Sequence, residues 1–187
     1  MASLLAFFTR LFGADSSAKP PYEQAEVHKG LRSRILELKP SDIGESDADK
    51  ILAVVMETGY EKTAVTLVAV CDGAASIYFS NGGGILGAGG QPQGRAAALS
   101  LISEAAKFRS SLILSKDAPL PQPGQTLFYL VTGKGLLTAS AKEVDLGEQR
   151  HKLSPLFYKA QELITAIRLT NEAREKADST ERQPKKP

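Results

Sequence analysis

A chain of 187 residues with 42% hydrophobic side chains suits one domain with a packed core and short tails, not a string of domains. Its net charge of +2 comes from 23 basic and 21 acidic residues spread along the chain, without the clustered basic footprint of a nucleic-acid binder. A lone cysteine excludes an intramolecular disulfide, and two histidines beside it do not make a zinc site; no cofactor is expected, and the composition fits a reducing, cytoplasmic compartment.

The chain opens on MASLLAFFTRLFG, residues 1–13. Leu4, Leu5, Phe7, Phe8, Leu11 and Phe12 share one broad helical face, and Ser3, Thr9 and Arg10 take the other. The segment is too short to span a bilayer and lacks the basic start of a secretory signal. Three roles remain: docking on its own domain, docking on a partner, or peripheral contact with a membrane. Only one basic residue on the polar face weakens the membrane role. Residues 14–21 have linker composition, with Pro20-Pro21. Residues 22–38 carry Ala25, Leu31, Ile35 and Leu38 at helical spacing and are ended by Pro40. His28 lies there among charges and is expected to be solvated. A polar loop, 40–50, leads to ILAVVMET at 51–58, an apolar β-branched first strand. Glu57 is its one carboxylate. With no partner acid in the same element it is expected at an exposed strand end, not as a general base.

Residues 63–110 organise the fold. Asp72-Gly73 joins two runs rich in β-branched residues, a strong hairpin signal. A two-residue loop would put Cys71 opposite Ala74, Val68 opposite Ile77 and Leu67 opposite Tyr78. Thr66, Val68, Val70, Ile77 and Phe79 would then share one face, and Val65, Leu67, Ala69, Cys71 and Tyr78 the other. Both are mainly apolar, so both need cover, from helices or from a partner chain. Cys71 is expected as a buried, inert thiol. The run SNGGGILGAGG follows. Gly82, Gly84 and Gly87 match G-x-G-x-x-G by spacing, but the run follows a hairpin and Ile85-Leu86 interrupt it. No Lys-Ser or Lys-Thr pair follows. The plain reading is a close-packed connection using glycine for unusual φ. The functional reading is a small-anion site of Ser80, Asn81, Gly82, Gly83, Gly84 and Arg95 at a helix N-terminus begun by Pro92. Catalysis there would have to draw on Tyr78 or Glu57. The helix that follows buries Ala98, Leu101, Ile102, Ala105 and Phe108.

Pro119, Pro121 and Pro123 next enforce an extended path, a stiff crossing loop. Residues 126–132 form a strand, Gly133-Lys134 turns, and 136–141 returns. Lys134 is expected to be solvated. Ser154 is placed as an N-cap with Pro155 in the first turn. His151, just before it, is expected to be exposed. Leu156, Phe157, Ala160, Leu163, Ile164 and Ile167 form the core stripe of a last helix. The polar, mixed-charge residues 176–187 are expected to be a disordered tail.

The order is helix, three-strand meander, helix, two-strand hairpin, helix, within a single α+β domain at 22–175. It predicts a five-stranded antiparallel sheet covered by helices on both faces. That element order is similar to the roadblock, longin and profilin group of small sandwiches; the resemblance is architectural and carries no functional residues with it. No nucleophile–base pair, metal cluster, carboxylate pair or phosphate motif is evident. The expectation is a non-enzymatic protein-interaction or scaffold module, able to self-associate. The alternative is a ligand-binding or enzymatic domain working through residues 80–95.

Overall fold

The computed structural model describes residues 20–181, with side chains of the last helix through residue 176. The apolar segment at 1–13, most of the 14–21 linker and residues 182–187 of the expected tail lie outside the described residues. The described chain is α+β. Its strands are β1 (Ile51–Gly59), β2 (Ala64–Val70), β3 (Ala75–Phe79), β4 (Gly84–Ile85), β5 (Ile113–Ser115), β6 (Gln125–Thr132) and β7 (Gly135–Lys142). Its helices are α1 (Glu26–Leu36), α2 (Pro92–Lys107), α3 (Glu143–Gly147) and α4 (Ser154–Glu181).

One antiparallel sheet carries all the strands, in the order β4-β3-β2-β1-β6-β7-β5. It has seven strands, not five. The two additions are short: β4 has two residues inside the glycine run, and β5 has three just ahead of the prolines. Neither is long enough to show alternation. Each exists because a longer neighbour, β3 or β7, offers it a ladder.

The hairpin register differs from the expected one by one residue. Leu67 pairs with Ile77, Thr66 with Tyr78 and Val68 with Ser76. The bend has three residues, Cys71, Asp72 and Gly73, closed by Val70 N–H to Ala74 O at 2.9 Å. Gly73 takes φ +89°, the left-handed region that ends such a turn. A one-residue slip exchanges faces. Ile77 and Phe79 therefore join Val65, Leu67 and Ala69, and Tyr78 joins Thr66, Val68 and Val70.

The gain is chemical sorting. One sheet face presents Val54, Met56, Leu67, Ile77, Phe128 and Leu130 to α2 and α4 in an apolar core. On α2, Ala98, Leu101 and Ala105 are buried, with Ile102 and Phe108 half-buried; on α4, Leu156, Phe157, Ala160, Leu163 and Ile167 are buried. The other face sets Val55, Val68, Tyr78, Leu127 and Tyr129 against Leu31, Ile35 and Leu36 of α1. Glu57 and Thr66 fall on this face too. Cover from the chain itself is complete over β1, whose nine residues are all buried, but thins along β7 and β5.

Pro92 starts α2, as expected. Ser154 does not cap α4: it is the first helical residue, and its hydroxyl is buried without a hydrogen-bond partner. His151, half-buried, has the local role instead, accepting the Leu153 N–H on Nδ1 at 3.2 Å. α4 continues to Glu181.

Candidate functional site

The residues proposed for an anion site are not gathered at one point. β3 ends at Phe79, and Ser80 is buried behind it, its hydroxyl accepting the Ala64 N–H at 3.0 Å and bonded to Thr63. Asn81 is exposed and Gly82 stands next to Ala25, where an added Cβ would be 3.2 Å from the alanine methyl. Gly83 closes the turn by accepting the Phe79 N–H at 2.8 Å, and Gly84 pairs with Tyr78 in β4. From there the glycine run travels back along β3. It reaches α2 only after Gly89 has passed the Gly73 carbonyl so closely that a Cβ would stand 2.2 Å from it. Arg95 lies over Gly73, 2.6 Å from a Cβ placed there. Arg95 and the glycines at 82–84 are thus at opposite ends of β3, roughly 20 Å apart at ~3.3 Å per residue.

A connected polar cluster lies elsewhere, between α1 and the sheet. Glu57 is fully buried inside β1, two residues short of its end, not at an exposed strand end. His28 is 1% exposed, not solvated. The pattern on α1 explains both. His28, Leu31, Arg32 and Ile35 recur at helical spacing and form the face turned to the sheet. Arg32 donates from Nε to Glu57 Oε1 and from Nη2 to Glu57 Oε2, both at 2.8 Å, a two-pronged fit of guanidinium to carboxylate. Thr66 donates to Glu57 Oε1 at 3.0 Å. That hydroxyl has one proton, so its oxygen must accept from His28, 3.1 Å away at Nε2. His28 is therefore the Nε2–H tautomer, and its bare Nδ1 accepts from Gln24 Nε2 at 2.9 Å. Gln24, His28, Thr66 and Glu57 form a one-directional chain of donors.

Burial pushes the His28 imidazole below its ordinary pKa, partly opposed by the Glu57 charge. Burial also works against the Arg32 charge, but the Glu57 carboxylate outweighs it and holds the guanidinium above its usual value. Desolvation raises the Tyr78 and Tyr129 phenols, and Glu57 adds to it. The Tyr78 hydroxyl is buried without a hydrogen-bond partner, its ring edge-on to His28 at 5.5 Å.

The proline stretch closes this cluster from outside. Arg32 Nη2 donates to Ala118 O at 2.9 Å and Pro119 O at 3.0 Å. Tyr129 donates to Pro119 O and Tyr22 to Pro121 O, both at 2.6 Å. It is the crossing loop expected, fixed as a strap. Both carboxylate oxygens of Glu57 accept from protein donors and the side chain is fully buried, so it ties α1 to β1 and β2. A groove of about 380 Å³ beside it is lined by Lys29, Arg32, Ser33, Glu37, Lys116 and Leu136. Lys29 is paired with Glu26, Arg32 with Glu57, and Glu37 accepts from Ser33. The groove is thus nearly balanced in charge.

Other expectations change locally. Cys71 is in the bend, half-exposed, not in the strand; burial still raises its thiol pKa, which keeps it a poor nucleophile. Lys134 is exposed in the β6–β7 turn, as expected, and reaches Asp49 Oδ2 of the loop before β1 at 2.6 Å. Among the described residues no group of three His, Cys, Asp or Glu could hold a metal ion, and no helix is long and apolar enough to cross a membrane.

Exposed large hydrophobics are scattered over the described surface, and the two most exposed, adjacent in sequence, are at the sheet edge. Ile113 is 72% exposed and Leu114 67% exposed, and both lie in β5, whose far side has no strand partner among the described residues. Sequence reasoning missed β5 because proline-rich flanks dominate that stretch; the run Leu112, Ile113, Leu114 was the available signal. The fold and site define the chain as an α+β protein with a sealed polar clamp and an open sheet edge. No family model, no curated protein and no solved structure matches the chain.

Proposed function

We propose that the protein is a non-enzymatic interaction module that takes up an extended segment as an added strand on β5. The observation that carries this is the exposure of Ile113 and Leu114 on a strand paired on one side only. An open edge supplies main-chain hydrogen bonds for affinity, and side chains alternating above and below the sheet supply selectivity. Leu114 pairs with Leu137 and Ile113 with Thr138, so the two exposed side chains project to opposite faces. An incoming strand would meet an apolar contact on each.

The polar groups with catalytic chemistry support this reading by being unavailable, since His28, Glu57 and Thr66 are bonded to one another under α1. The small-anion alternative at residues 80–95 has less support, because Arg95 stands a strand's length from Gly82, Gly83 and Gly84. The expected protein partner remains part of the proposal, with a cytoplasmic address.

The test is binding to immobilised peptides of about eight residues that alternate apolar and polar side chains, a length that covers the edge strand with overhang. The native chain should retain a subset of them. The Ile113→Lys/Leu114→Lys variant, with unchanged circular dichroism, should bind roughly tenfold more weakly or worse. Equal binding by both proteins, or none by the native chain, sinks the reading.

A further inference from the structure

We infer that the β5 edge seats a second copy of this chain, strand against strand about a two-fold axis through Leu114; this rests on the reading of β5 as a docking edge. The argument is self-complementarity. In an antiparallel ladder, directly opposed residues point to the same face of the sheet. A two-fold axis perpendicular to the sheet keeps each side chain on its face, so such a pairing must centre on a residue facing itself. Centring it on Leu114 does four things at once.

Leu114, 67% exposed in the single chain, meets the partner's Leu114 on the face that carries α2 and α4. Ile113, 72% exposed, lies opposite the partner's Ser115 and diagonal to the partner's Ile113 on the other face. Lys116 and Asp117 lie beyond the three-residue strand and are not part of the paired segment. No charge is set against a like charge at the seam, and a net charge of +2 per chain adds little long-range repulsion. The opposite sheet edge does not compete: β4 is two residues long and begins with a glycine. The pairing is therefore closed, β5 to β5, and does not run head to tail into a filament. The two sheets become one of fourteen strands, twice the seven of a single chain.

Three paired residues a side put the interface at the small end of specific contacts. The association should be weak and visible as a concentration dependence. The experiment is sedimentation velocity of the full chain from about 10 µM to about 1 mM, a range suited to weak association. The weight-average mass should climb toward about twice the monomer value for the native chain, by mass action. Leu114→Lys sets two ammonium groups face to face and should stay monomeric throughout. In a Cys71→Ser background, Leu114→Cys should form a disulfide-linked dimer on mild oxidation, because opposed Cα atoms in such a ladder lie within disulfide range. Leu86→Cys, exposed by the opposite edge, should not.

A native chain that stays monomeric at every concentration overturns the proposal, as does cross-linking of Leu86→Cys as readily as Leu114→Cys. If the native chain is monomeric yet binds extended peptides that the Ile113→Lys/Leu114→Lys variant does not, the second-copy inference falls and the docking edge stands. Failure of both measurements removes both.

Discussion

Glu57 keeps a charge in the centre of the sheet because Arg32 and Thr66 surround it with donors. Removing one member of such a pair strands the other in a dry place. Arg32→Leu should lower stability by about 3–5 kcal/mol in urea denaturation. Arg32→Leu/Glu57→Leu should recover much of that loss, because two apolar side chains leave no charge behind. A double variant as unstable as the single one would show that the strap contacts of Arg32, not its charge, carry the effect. His28 adds a pH dependence of known sign. Its folded pKa is depressed, so the native state resists a proton that the unfolded chain accepts. The contribution is complete above the ordinary histidine value of about 6.5 and is lost as pH falls from there toward the lowered folded value. The urea midpoint of the native chain should therefore drop between pH 7.5 and pH 5.5 more than that of His28→Gln, which has no imidazole to titrate. Neither residue's position was legible locally. His28 among Lys29 and Arg32 looks solvated until the helical period places it on the face of Leu31 and Ile35. Glu57 in ILAVVMET looks terminal until the strand proves to continue through Gly59.

Elements differ in how much the chain announces them. Long stretches were legible: α2 and α4 each have a core stripe, and β1, β2 and β6 are apolar, β-branched or aromatic runs long enough to read as strands. β4 and β5 were not, because two or three residues hold no period and exist only against a neighbour. The hairpin lies between these cases. Asp72-Gly73 marks the bend, but the third loop residue, Cys71, decides the register, and nothing in the dipeptide tells a two-residue loop from a three-residue one. Two glycines test how elements meet. Gly30 is within α1 with open space where a Cβ would go, and Gly30→Ala should stabilise by about 0.5–1 kcal/mol through helix propensity. Gly59 ends β1 under the strap, where a Cβ would stand 2.4 Å from the Gln122 carbonyl oxygen. Gly59→Ala should cost about 1–3 kcal/mol by forcing backbone apart. Thermal and urea unfolding of the two variants would read opposite signs. The same sign for both would mean that the strap yields freely.

The whole molecule is one sheet serving two chemically different cores. Leu163 belongs to the apolar side under α4, and Tyr22, Tyr78 and Tyr129 to the polar side near α1. With no tryptophan present, tyrosine fluorescence reports mainly the second core, and far-ultraviolet circular dichroism mainly the helices on the first. Because β1 and β6 contribute side chains to both, the two signals should change together in urea. Leu163→Ala should lower the stability read from both signals by about 2–5 kcal/mol, moving both midpoints down together without changing the slope. Separate transitions would mean two folding units. A last consequence concerns the strap. Pro119, Pro121 and Pro123 have no amide proton, and what the segment turns inward at residues 118, 119 and 121 is oxygen alone; what greets it from Tyr22, Arg32 and Tyr129 is hydrogen alone. The lock has one handedness of polarity. Any intruder that would displace it must offer carbonyls at the same three places and turn its own amide protons elsewhere.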